Sequence, residues 1–277
     1  MYRKRFGLTG HPMPKGAQGK TFFDKSPSYE RLAHSFQHLL DEPGLGVLTG
    51  DPGVGKTAAL RNLCWRLPKP DYLVVYIADT TISPLELYRL LALELGVRPS
   101  HRRGQLWSDI KKALVHMVDE RSTAPVIIID EAQHLSDRFL TDLSGFLNFA
   151  FDSRDLLTLW LAGLPAFGST LRRQEHAALA MRVSSAVHFE PFTDKESFVA
   201  AITASLAAVG ARDKIIAEPA LDLLFRQCRG LLRVAAKLLR SSLRFAHERD
   251  QSFVDEATMA LAVDEIFAAA PAPKLKP

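Results

Sequence analysis

The sequence has almost no cysteine. Cys64 and Cys228 are the only two in 277 residues, and they lie far apart, without the close spacing a metal site needs. Both sit among apolar residues in helix-like stretches, so they read as small core residues, and neither points to an oxidising compartment. Long apolar runs are missing as well: no stretch of about 18 apolar residues occurs, so no membrane-spanning helix is expected. The opening MYRKRFGLTG carries charge but no apolar h-region behind it, so it does not read as a secretion signal, and the expected compartment is the cytoplasm. Internal repeats are absent. The charge excess is small: a formal net charge of +4 and a pI near 9.1 permit nucleic-acid binding without arguing for it. What remains, 47% hydrophobic and 24% charged, is the make-up of an ordinary globular protein, long enough for one large domain or two modest ones.

The chain is organised around Leu45 to Thr57, LGVLTGDPGVGKT. A short apolar run leads into Gly50, Gly53, Gly55, Lys56 and Thr57, which fit the phosphate-loop pattern G-x-x-x-x-G-K-[ST] without a mismatch. Glycines let successive backbone N–H groups turn inward around phosphates, and the helix that follows adds its positive end. Lys56 supplies a point charge for the β- and γ-phosphates, and the Thr57 hydroxyl is placed to ligate Mg²⁺. The expected nucleotide contacts are therefore Gly50, Asp51, Pro52, Gly53, Val54, Gly55, Lys56, Thr57 and Ala58, with ATP and Mg²⁺ as the cofactors.

Around this loop, apolar strands alternate with helices. Strands are expected at Leu45–Thr49, Tyr72–Ala78, Val126–Asp130 and Leu156–Ala162, with a brief last one at Val187–Phe189. Helices are expected at Ser28–Leu40, Thr57–Leu67, Pro84–Leu95, Leu106–Val118 and Ser136–Phe151. Strands apolar throughout and separated by helices indicate a parallel sheet covered on both faces. After Pro191 only helices follow: Lys195–Val209, Pro219–Gln227, Leu231–Glu248 and Val254–Phe267. The segment Met1–Lys25 reads as irregular but too apolar for a disordered tail. AAAPAPKLKP at the end reads as disordered.

The strand VIIIDE delivers two carboxylates at its C-terminal edge, about 75 residues beyond the phosphate loop. Asp130 is expected in the Mg²⁺ shell and Glu131 beside the attacking water, which points to ATP hydrolysis, because binding alone has no need of Glu131. Two arginines stand out. Arg182 lies between a helix and the last strand, and Arg233 follows Gly230 at the start of a late helix. A guanidinium is planar and permanently charged, suited to a transferring phosphoryl group. Surface ion pairs explain the same residues. His134 is given no proton-transfer role, and Trp65, Trp107 and Trp160 read as core.

The order of phosphate loop, Asp-Glu strand, Arg before the last strand and Gly-x-x-Arg in a helical lid resembles the AAA+ ATPases. That resemblance implies a three-layer α/β parallel-sheet core with a C-terminal all-helical lid. It implies that Arg182 is a finger reaching the γ-phosphate of a neighbouring subunit, with Arg172 and Arg173 as rivals, and that Arg233 reports the nucleotide within its own subunit. It also implies an N-terminal cover for the adenine, here Met1–Phe6 with Phe22 and Phe23. The polar sensor residue often found at the end of the fourth strand has no counterpart: Thr158 stands at the start of LTLWLAG. The corresponding division is 1–40 for the N-terminal segment and helix, 41–190 for the core, 191–267 for the lid and 268–277 for the tail.

Within that family the opening MYRKRFGL, the later SPSYERL, DEAQHL and LAGLP resemble the ExeA-type branch, over about residues 1–265. This branch includes ATPases that accompany DDE transposases, similar to the TniB, TnsC and MuB helpers. ExeA secretion proteins add a membrane span and a further domain, and this sequence shows neither, so the expectation is a transposition helper. The implied partners are duplex DNA held through its backbone, further copies in an oligomer or filament, a transposase and a target-selection protein, with no membrane. The alternative is a secretion-associated ATPase working with a membrane partner. The densest basic cluster, Arg98, Arg102, Arg103, Lys111 and Lys112, matches the region that faces DNA in TnsC-like filaments; a solvated charged face explains it equally. A second cluster runs through Arg226, Arg229, Arg233, Lys237, Arg240 and Arg244.

Overall fold

In the computed structural model, which describes residues 2–13, 26–150, 152–211 and 214–268, five apolar stretches become strands. They are β1 (Leu45–Gly50), β2 (Tyr72–Ile77), β3 (Ala124–Ile129), β4 (Thr158–Gly163) and β5 (Val183–Phe189). They pair in the order β2-β3-β4-β1-β5, every neighbour parallel. One edge of the sheet therefore carries every strand's carboxyl end and the other every amino end. The three inner strands β3, β4 and β1 are buried on both faces, which is why they are apolar apart from Thr49 and Thr158.

The helices are α1 (Tyr2–Arg5), α2 (Pro27–Asp41), α3 (Lys56–Trp65), α4 (Pro84–Glu94), α5 (Arg103–Asp119), α6 (Asp137–Phe146), α7 (Pro165–Leu171), α8 (Ala177–Ala180), α9 (Lys195–Ala208), α10 (Glu218–Cys228), α11 (Leu232–Glu248) and α12 (Glu256–Ala268). Two compact units result: a sheet unit of residues 30–52 and 59–189, and a helical unit of residues 1–29, 53–58 and 190–277, as far as the described residues go.

In the sheet unit, alternation along the strands sends Val47, Ile127, Ile129, Leu159 and Leu161 to one face, where they join Tyr88, Ile110, Phe139 and Phe146 of α4, α5 and α6. Tyr88 packs its ring 5.1 Å from Phe146 and 5.3 Å from Trp107. Trp160 belongs to the opposite face and stacks on Phe36 of α2 at 6.2 Å. Helices on both faces of a parallel sheet make the three layers expected.

Three local readings change. β5 runs seven residues rather than three. It is an edge strand whose outward positions are Ser184, Ala186 and His188, so the apolar signal reaches only its last turns of the pleat. The helix expected to reach Phe151 stops at Phe146, and Phe149 bridges to Arg154 instead. Trp65 is 45% exposed at the last residue of α3, with the Arg61 guanidinium 5.4 Å from its ring, so it is not core; Trp160 is fully buried.

In the helical unit, Phe198 packs between Phe192 and Phe225, and Glu265 of α12 accepts hydrogen bonds from Ser241 and Arg244 of α11. The N-terminal segment joins this unit. Thr9 N–H donates to Val209 O at 2.7 Å and Met13 N–H to Ser205 Oγ at 2.7 Å, with Phe6, Leu8 and Met13 buried. Phe22 and Phe23 lie outside the described residues, as does the tail after Ala268. No helix among the described residues is long and apolar enough to cross a membrane.

Candidate nucleotide site

The carboxyl edge of the sheet collects the chemistry. β3 ends at Ile129, and Asp130 follows with 3% exposure. Its Oδ2 accepts from Tyr76 Oη at 3.0 Å and its Oδ1 from the Glu131 N–H at 2.9 Å. Burial first, and then the negative charge of Asp130, push the Tyr76 phenol well above its ordinary value, so it stays a donor. The carboxylate is thus aimed by two donors.

Glu131 adopts φ 53°, a left-handed torsion costing about 1–2 kcal/mol for a residue with a Cβ. Thr80 Oγ1 donates to its carbonyl at 2.9 Å and holds the turn. The side chain is held separately: Gln133 Nε2 donates to Glu131 Oε2 at 2.5 Å, while Gln133 Oε1 accepts from the Leu164 N–H at 3.0 Å. His134 is exposed on the same turn.

β1 ends at Gly50, and Asp51 and Pro52 lead into the loop. Gly53 and Gly55 have φ 83° and 120°, torsions that the phosphate-loop pattern demands and side chains rarely adopt. Val54 is buried between them, and Lys56, Thr57 and Ala58 form the first turn of α3. Within the helical unit the loop meets α11: Arg233 N–H donates to Gly53 O at 3.1 Å, and a Cβ on Gly53 would lie 2.8 Å from Arg233 Cβ. So Arg233 and the loop belong together. Within the helical unit the loop fits the phosphates of a nucleotide, with glycines in the required torsions and a helix N-terminus bearing Lys56 and Thr57; within the sheet unit Asp130 offers a buried carboxylate of the kind that suits Mg²⁺.

Arg182 lies at the opposite edge. It directly precedes β5, whose Val183 pairs with Leu45, the first residue of β1. Its Nη2 is 2.7 Å from Asp152 Oδ1, beside a recess of about 450 Å³ that Gly44, Leu156 and Ser184 also line. Met181 next to it is 89% exposed. The rival Arg173 is bound to Asp137 and sits 3.0 Å from Glu175, within a cluster that includes buried His176. The hydrogen bond from His176, aided by Arg173, holds the Asp137 carboxyl below its usual range. Arg172 reaches Ser169 at 3.2 Å.

The basic cluster divides. Arg98, Arg102 and Lys112 are exposed. Arg103 pairs with Asp142 at 2.7 Å and lies 4.5 Å over the Trp107 ring. Lys111 Nζ donates to Asn148 O at 2.7 Å beside the Phe149 ring, and burial, then the Arg182 charge, lower its pKa. Both are tied within their own subunit.

Tyr76, Thr80, Gln133 and Asp152 were not singled out from sequence. The signals for them are slight: a second tyrosine in an apolar strand, and an amide two residues after the strand-end Asp-Glu pair.

The profile of the family described as AAA domain matches residues 38–171. General secretion pathway protein A of Aeromonas hydrophila is 27% identical over 267 residues, 96% of this chain and 48% of that protein. The ATP-dependent target DNA activator B of Escherichia phage Mu is 35% identical over 100 residues, 36% of this chain and 30% of that protein. The chain therefore spans about half the length of the first relative and less of the second. Among solved structures, Drosophila ORC bound to DNA has a TM-score of 0.70 at 18% identity, covering 97% of this chain and 66% of that one, a likeness of fold.

Proposed function

We propose, from the AAA-domain match over residues 38–171 and the fold shared with Drosophila ORC, that the chain hydrolyses ATP in an assembly of its own copies on duplex DNA. Gly53, Gly55, Lys56 and Thr57 bind the phosphates. Thr57 and Asp130 would hold the Mg²⁺, which would supply positive charge beside the transferring phosphoryl group. Glu131 accepts a hydrogen bond from the attacking water. The water oxygen bonds to the γ-phosphorus as the bond to the bridging oxygen breaks, ADP leaves, and the water's proton ends on the released phosphate.

The observation that carries the assembly is the placement of Arg182 at the sheet edge opposite Asp130 and Glu131. An arginine there has no route to its own subunit's phosphates. That position supports a role at a neighbour's nucleotide, which would link nucleotide state and subunit contact. Arg233, bonded to the loop, reports the same nucleotide from within.

The DNA part of the reading draws on the phage Mu relative, a target DNA activator by description, and on exposed Arg98, Arg102 and Lys112. ATP-bound copies in the cytoplasm would coat duplex DNA with little sequence preference, recruit a transposase, with or without a target-selection protein, and leave on hydrolysis. A second reading, a secretion-associated ATPase with a membrane partner, is favoured by the alignment to general secretion pathway protein A along 96% of the chain. Electron microscopy with a slowly hydrolysed ATP analogue and duplex DNA at low salt separates them. DNA-dependent rings or filaments are expected. A protein that remains a single particle under those conditions refutes the DNA-assembly reading.

A further inference from the structure

The end of β4 sits in the sheet between β3, which leads to Glu131, and β1, which leads to the phosphate loop. It closes in Ala162 and Gly163, and so offers no polar side chain of its own. Another residue fills the space. A Cβ on Gly163 would lie 3.1 Å from Gln133 Oε1 and 3.3 Å from Gln133 N. The Gln133 amide and Phe167, whose Cβ would be 3.2 Å from such a Cβ, together occupy the space over Gly163.

We infer that Gln133 is a positioning residue for Glu131, holding its carboxylate from a fixed point at the end of β4. The anchor sets the sense of the amide. The Leu164 N–H can only donate, so the oxygen of Gln133 must face it at 3.0 Å, and the amide nitrogen then faces Glu131 Oε2. A flipped amide would set donor against donor and oxygen against carboxylate. The anchor is rigid, because Leu164 is the N-cap of α7 and Pro165 follows it. Glu131 is exposed, and without this bond its carboxylate is free to sample several rotamers. Gln133 and Thr80 divide the work: Thr80 fixes the backbone of Glu131, and Gln133 fixes where its oxygens point.

This inference rests on the reading of Glu131 as the group that orients the attacking water. Misplacing such a group by about 1 Å costs on the order of 10²-fold in rate, so loss of the Gln133 bond is expected to lower kcat by roughly 10- to 100-fold. Nucleotide binding, made by the loop, should hardly change.

The test uses Gln133→Met, which keeps the bulk of the side chain but removes both hydrogen bonds, and Gly163→Ala, whose methyl crowds the amide. Both should lower kcat with KM within about two-fold of wild type. In a Glu131→Gln background, Gln133→Met should add nothing further, since it acts only through Glu131. In the nucleotide-free protein, hydrogen exchange at the Leu164 amide should quicken in Gln133→Met, because its acceptor is gone. The inference is overturned by wild-type kcat in Gln133→Met, by an equal loss in the Glu131→Gln background, or by unchanged exchange at Leu164. If Glu131→Gln alone turns over ATP as fast as wild type, the reading of Glu131 fails, and the inference with it.

Discussion

Arg182 should act only across a subunit boundary, and two inactive variants mixed together can test this. β5 carries the chain from Val183 at one edge of the sheet to Phe189 at the other. Six steps of about 3.3 Å put the two edges roughly 20 Å apart. Arg182 stands before the first step, while Asp130 and Glu131 stand past the end of β3 on the far edge. No arginine side chain spans that gap. Arg182→Ala should therefore assemble with active sites whose own residues are intact but which lack a neighbour's guanidinium, lowering turnover by about 10³-fold or more. Glu131→Gln should do the converse, keeping the guanidinium and losing the water-orienting carboxylate. When equal amounts of the two are mixed before assembly, a site works if its subunit carries Glu131 and its neighbour carries Arg182. Each condition is met half the time, so random head-to-tail mixing should restore about a quarter of wild-type turnover. A coupled phosphate-release assay reads this directly, as a rise of some hundredfold over either variant alone. A mixture no more active than the average of its components would show that both residues serve one subunit's chemistry, and the argument from opposite edges would be wrong.

Gly53→Ala combines a torsion penalty of about 1–2 kcal/mol with a methyl 2.8 Å from Arg233 Cβ. It should lower the melting temperature of the nucleotide-free protein by about 2–8 °C and weaken ATP binding; a melt and a nucleotide titration matching wild type would contradict the loop geometry. The cysteines should be inert. Burial pushes the Cys64 thiol up to about 12 and Cys228 up to about 11, so at pH 8 only about one part in 10⁴ and one in 10³ is thiolate. Iodoacetamide at that pH should leave the native protein unmodified by mass and label both residues in denaturant; ready labelling of the native protein would refute this.

The parts of the site legible in sequence are those in which one short stretch must satisfy its own geometry. The phosphate loop demands glycines at left-handed torsions, and a buried strand of VIII can end in Asp-Glu only where those charges find use. Partnerships between distant stretches left almost no trace. Tyr76 and Asp130 are 54 residues apart, and Gln133 and Leu164 are 31 apart, and neither pair has a period or a spacing to betray it. Lys111 read as part of a basic cluster with Arg103 and Lys112; the carbonyls of Gly145 and Asn148 that hold it are supplied by the end of another helix, far off in sequence. β5 was underestimated for a related reason. Its outer face is half wet, so only Val187 and Phe189 carried an apolar signal.

Arg182 also has an anionic companion at home, the Asp152 carboxylate at 2.7 Å. Any engagement with a neighbour's nucleotide is then a trade of one anion for another, and its driving force is only the difference between them. A triphosphate, with its terminal group doubly charged, can outbid a single carboxylate; a diphosphate, one phosphoryl group shorter, offers nothing at that position. Cleavage would hand the guanidinium back to Asp152, giving each subunit a resting posture in which its hold on the next is weaker.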